Sequence, residues 1–147
     1  MLSISEPTLV LWMHIVAACI WIGGQVTAAA FIPLLRRHPD LARRVGRRYQ
    51  AVAWPAFAVL MVTGVVNVGN AGLHWSQLLD SPAGRTLVVK LVLVALSGIA
   101  ASVHSFLQAP RRGRASGGSA VGSAVLGSIS LIAALLAALY GVALAGA

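Results

Sequence analysis

Acidic residues are nearly missing from this sequence. Glu6, Asp40 and Asp80 are the full set among 147 residues. Each lies outside the long apolar runs, so no carboxylate chain can relay protons through those runs. Cysteine is scarcer still. Cys19 stands alone, which excludes an intramolecular disulfide and leaves the redox compartment unread. Charge of either sign is rare, at 10% of residues against roughly 25% in soluble domains. A nucleophile–base pair, an HExxH helix, paired carboxylates in an apolar segment and a phosphate loop are all absent. Hydrolysis is set aside, and no residue is assigned a catalytic role.

What remains is hydrocarbon. Hydrophobic residues make up 59% of the chain, and four nearly uncharged stretches reach the roughly 20 residues that cross a bilayer. They run over about 8–35, 49–70, 86–108 and 118–145. The first lacks a basic leader segment and is too long for a signal-peptide core, so it reads as a true span. The expectation is an all-α membrane protein, a single four-span domain over 1–147.

Arginine placement orients it. Arg36, Arg37, Arg43, Arg44, Arg47 and Arg48 fall between spans one and two, and Arg111, Arg112 and Arg114 between spans three and four. The remaining loop holds only Arg85 against Asp80, and Glu6 is the one charge before the first span. By the positive-inside rule both basic loops are cytoplasmic and both termini extracytoplasmic. Short connections then give an antiparallel four-helix bundle in the cytoplasmic (inner) membrane. The net charge of +8 is thereby read as topology and contact with the lipid bilayer, not nucleic-acid binding. The stretch after Pro39 is expected to be partly helical, and LHWSQLLD, with His74 and Trp75, to form a short interfacial helix.

Polar residues inside the spans are few and periodic. Lys90, Ser97 and His104 recur every seven residues in span three, with Gln108 four later, and so share one helix face. His14, Trp21 and Gln25 do the same in span one, and Thr63 and Asn67 in span two. Such groups face the protein interior rather than lipid. At about 1.5 Å rise per residue, His14, Thr63 and Lys90 lie roughly 6–10 Å below the outer rim, whereas Gln25 and His104 are about 25 Å deep. Two polar layers are expected: His14, Thr63, Asn67 and Lys90 outside, Gln25 and His104 inside, with His74 and His38 near the two ends. Lys90 either snorkels to outer headgroups or faces His14 and Asn67, holding an anionic group or keeping the imidazole neutral for ligation.

Span four differs. Ser119, Ser123 and Gly127, and Ala120, Ala124 and Ser128, follow at four-residue spacing, which permits close helix approach in lipid. It carries no His, Lys, Arg, Asp, Glu, Asn or Gln, and reads as a packing helix against the bundle, a second copy in a homodimer, or a larger membrane complex.

WMHIVAACIWIGG followed by FIPLLRR, then RRYQAVAWPAFAVLMVTGV, then GRTLVVKLVLVAL, together resemble the copper resistance protein D (CopD) domain over about residues 8–108, with span four as its fourth helix. His14, Trp21, Gly23, Gly24, Thr63, Gly64, Gly84, Arg85 and Lys90 match that pattern. The resemblance implies copper handling at the inner membrane, as uptake towards the cytoplasm. The soft ligands that Cu(I) favours are sparse here: Met13, Met61 and Cys19 all lie off the polar stripes. More distantly the chain resembles the HemJ-type protoporphyrinogen oxidases, which implies haem b as an alternative cofactor. His14, His74 and His104 are the metal or haem candidates. His14 and His104 differ by about 18 Å in depth, so they would not ligate one haem. Three readings stay open: copper transport or homeostasis, a haem-binding redox protein, and an accessory subunit of a larger complex.

Overall fold

Three of the four helices carry proline in the first turn, where its missing N–H costs nothing. The computed structural model describes residues 5–72, 78–108 and 120–145. Within them lie α1 (Glu6–Leu35), α2 (Pro39–Asn70), α3 (Pro82–Gln108) and α4 (Ala120–Ala145). Pro7 sits in the first turn of α1, Pro39 opens α2 and Pro82 opens α3. At α3 the hydroxyl of Ser81 accepts the Gly84 N–H at 3.0 Å, a side-chain cap. Gly84 is needed there for a second reason. A Cβ on it would strike the Leu78 backbone, with the carbonyl carbon at 2.7 Å, so the chain entering α3 can fold over its first turn only at glycine.

All four helices are long and apolar enough to cross a membrane. Leu11, Trp12, Val62, Val92, Ile99, Leu139 and Val142 are among many large apolar side chains left exposed. In water that pattern would be a liability. Around membrane helices it is the surface that lipid covers. The expected spans are thus present, with one change of boundary. α2 begins at Pro39 rather than 49, so the arginine segment is a continuous helical extension of span two. Most of the proposed LHWSQLLD helix lies outside the described residues, and Leu78–Asp80 form a turn.

The described chain forms two compact helix pairs, α1 with α2 and α3 with α4. In the first, residues 36–38 make the whole connection. The N–H groups of Arg36, Arg37 and His38 donate to Ile32, Leu34 and Leu35 carbonyls at 3.0–3.2 Å, closing α1 before Pro39 starts the next helix. So short a link forces antiparallel neighbours. Their seam buries Ala17 and Trp21 of α1 and Ala53, Ala56, Thr63 and Val68 of α2. Trp21 is its centre, with ring centroids 4.5 Å from Phe57 and 5.7 Å from Trp54. In the second pair the buried set is Gly84, Leu87, Ser97, Gly98, Ala100, Ser130, Ala133, Ala134 and Ala137. Small residues dominate both seams, as close backbone approach in lipid requires.

Candidate functional site

His14 and Thr63 meet across the first pair. Nδ1 of His14 lies 2.9 Å from Thr63 Oγ1. The same hydroxyl donates to the Val59 carbonyl at 2.6 Å, the usual back-bond of a helical threonine. A hydroxyl has one proton. With it committed to Val59, Thr63 accepts from His14, and the neutral ring is fixed as the Nδ1–H tautomer. Its lone pair is then on Nε2, the arrangement by which a ligating histidine is oriented by its other nitrogen. Thr63 is 4% exposed, so this anchor is shielded from water.

Gly64 completes the seat. A Cβ there would stand 3.4 Å from His14 Cε1 and 3.9 Å from Nδ1. The ring therefore sits beside the α2 backbone at Gly64, held by Thr63. Asn67, one turn along, is half-buried, and it is Thr63 that bonds the imidazole.

Further along the pair, Gly24 faces Tyr49 closely: a Cβ would sit 2.6 Å from the ring's Cε2. Beside it Gln25 is half-buried, and its Nε2 is enclosed with no hydrogen-bond partner. Cys19 and Met61 are exposed, whereas Met13, beside His14 in sequence, is half-buried.

The α3 stripe is real, and its partner is α4. Lys90 Nζ lies 3.1 Å from where a Cβ on Gly141 would stand. Ser97 and Ser130 are both buried with hydroxyls 3.2 Å apart, and Ser130 also donates to the Ser97 carbonyl at 3.0 Å. His104 Nδ1 lies 2.9 Å from the Ser123 carbonyl, with the Ser123 hydroxyl at 3.3 Å. A carbonyl only accepts, so His104 is also an Nδ1–H tautomer with its lone pair on Nε2. Gly127 leaves space beside it. α4 packs against α3, as span four is expected to pack against the bundle, and Ser123 and Ser130 add the partners of His104 and Ser97. Ser123 and Ser130 are seven residues apart, the same interval that separates Ser97 from His104, so the two helices meet at matching intervals.

His14 and Lys90 belong to different helix pairs. Asn67, Thr63, Trp21 and Gln25 belong with His14, and His104 with Lys90. His74, Arg111, Arg112 and Arg114 lie outside the described residues, as does the side chain of Gln108. Among the described residues no three His, Cys, Asp or Glu side chains gather into a group able to hold a metal ion. For haem, the described part of each pair offers a single imidazole within a span, and His74, a further haem candidate, lies outside the described residues.

No curated protein and no solved structure matches the chain. A family does, and its match covers residues 43–145, from the arginine segment of α2 to the end of α4. That stretch includes Thr63, Gly64, Gly84, Arg85, Lys90 and His104, whereas His14 and Trp21 precede it. With four bilayer-length helices and a match over most of its length, the chain belongs to the copper resistance protein D (CopD) family and is a multi-pass membrane protein of copper resistance.

Proposed function

We propose that the protein carries copper across the cytoplasmic membrane, as uptake, and that His14 is the residue that first takes the ion. The observation that supports this is the His14–Thr63 hydrogen bond. It is an interaction at fixed tautomer, on a ring beside Gly64, which makes Nε2 the unprotonated nitrogen. Imidazole nitrogen is an accepted copper ligand, and its second-sphere partner raises its basicity and fixes its aim. One nitrogen binds weakly, which suits cargo that must leave again.

In this reading His104 is a second station of the same design in the other helix pair, held by the Ser123 carbonyl. Lys90 is the cation near one end of its own pair and Gln25 a spare amide donor in the first. The loop arginines face the cytoplasm, both termini lie outside, and copper enters from the side of His14. His74, seven residues beyond Asn67 in sequence, is the further imidazole that would supply a second ligand there. Among the described residues, neither pair gives the haem alternative a second imidazole within a span.

The test is cellular copper content in a strain expressing the protein, compared with His14→Ala at equal membrane abundance. The substitution is expected to lower accumulation to that of cells lacking the protein. Accumulation equal to the unsubstituted protein would overturn the assignment of His14.

A further inference from the structure

The first turns of α2 carry a basic face whose use is separate from copper. α2 has 32 residues, about 48 Å of helix, against a hydrocarbon core of roughly 30 Å. Some 15–18 Å, about ten to twelve residues, therefore project beyond the core. The uncharged part of the helix runs from Tyr49 to Asn70, so the projecting part is Pro39–Arg48, at the level of the headgroups.

On that projection Arg43, Arg44, Arg47 and Arg48 are all exposed. At 100° per residue they share an arc of about 140°. The side of α2 that meets α1, marked by Tyr49, Ala53, Ala56 and Thr63, lies opposite. Asp40 is the sole acid in the projection, and it pairs with Arg43. Arg44, Arg47 and Arg48 have no acidic partner among the described residues. With three acids in the whole chain, little internal charge is left to neutralise them.

We propose that this face binds the phosphates of anionic phospholipids in the leaflet it reaches. Arg43 with Arg47, and Arg44 with Arg48, are one turn apart, with Cβ atoms about 6 Å from each other. Guanidinium forks at that spacing bracket a phosphate and donate two hydrogen bonds each. The choice of lipid over a soluble polyanion rests on position. The face stands at the depth where lipid phosphate is the most concentrated anion, and no aromatic side chain interleaves the arginines to stack a base.

The experiment uses the full chain purified in a non-ionic detergent, titrated with phosphatidylglycerol or phosphatidylcholine, with bound lipid counted by native mass spectrometry. Phosphatidylglycerol is expected to be retained at least tenfold more strongly, and the preference to collapse in 0.5 M salt. The combined variant Arg43→Gln, Arg44→Gln, Arg47→Gln, Arg48→Gln is expected to lose it, while Arg85→Gln keeps it. Equal retention of the two lipids, or a preference indifferent to salt, overturns the proposal on the unsubstituted protein alone. So does displacement of phosphatidylglycerol by an equimolar acidic peptide or oligonucleotide, which would assign the face to a macromolecular partner. None of these outcomes depends on copper binding.

Discussion

Thr63 holds His14 by accepting rather than donating, because its one hydroxyl proton is taken by Val59. That direction makes the pair testable by a near-isosteric change. Thr63→Val keeps the volume and removes the acceptor, so the part-buried His14 N–H loses that hydrogen bond, at about 0.5–1.5 kcal/mol. The ring can recover that only by rotating or changing tautomer, and either takes Nε2 off its line. Copper accumulation at equal expression is expected to fall at least halfway to the His14→Ala level. Thr63→Ser, which keeps the hydroxyl, should stay close to the unsubstituted protein. Full accumulation with valine would show that the threonine does not aim the ring.

The glycines of the first pair separate by geometry alone. Alanine at Gly24 would put Cβ 2.6 Å from the Tyr49 ring, which has to move, whereas Gly23 has nothing within 4 Å. Gly24→Ala is expected to destabilise by about 1–3 kcal/mol through overpacking. Gly23→Ala should be neutral or stabilising by up to about 1 kcal/mol, the gain of alanine over glycine in a helix. Gly64→Ala makes an ordinary contact with His14 and should be tolerated, whereas Gly64→Val should displace the ring. Thermal unfolding in detergent of the three alanine variants checks the order, and loss at Gly23 equal to that at Gly24 would contradict it.

Much of this was legible in the sequence for physical reasons that act locally. Twenty apolar residues without charge can only be a span, and a seven-residue repeat of Lys90, Ser97 and His104 can only be one face of a helix. What the sequence does not encode locally is which neighbour a face meets. The stripe of α3 turned out to lie on α4, whose serines and glycines offer hydroxyls, carbonyls and space without looking polar. Asn67 was as reasonable a partner for His14 as Thr63, and only the relative register of α1 and α2 decides between them. Gly64 was noted as part of a motif, but its use, room for an imidazole, needs coordinates to see.

Ser97 and Ser130 give the cleanest measure of how polar contacts hold the second pair. Ser130 donates to the Ser97 carbonyl and also meets its hydroxyl. Interhelical hydrogen bonds in membrane proteins average about 0.6 kcal/mol and reach about 1.7. Ser130→Ala is expected to cost towards the upper end, since it removes both the bond to the Ser97 carbonyl and the contact with its hydroxyl. Adding Ser97→Ala should then cost less than that change does alone. Denaturant unfolding of both singles and the double would show this coupling, and strict additivity would mean the hydroxyls do not interact.

His104 and Ser123 make a contrasting case, because the stronger contact is to the main chain. The Ser123 carbonyl at 2.9 Å survives Ser123→Ala, and only the 3.3 Å hydroxyl contact is lost. That substitution is therefore expected to change copper accumulation by less than about twofold, in line with the modest net value of one hydrogen bond. His104→Phe keeps the ring's bulk beside Gly127 but removes both nitrogens. If His104 is the second copper station, phenylalanine should lower accumulation severalfold while unfolding shifts little. If the histidine serves only to join α3 to α4, the result inverts: stability falls in detergent and accumulation per folded molecule is unchanged. Measuring both on the same two variants separates transport from packing, because the serine controls for the loss of a polar contact and the phenylalanine for the loss of a ligand.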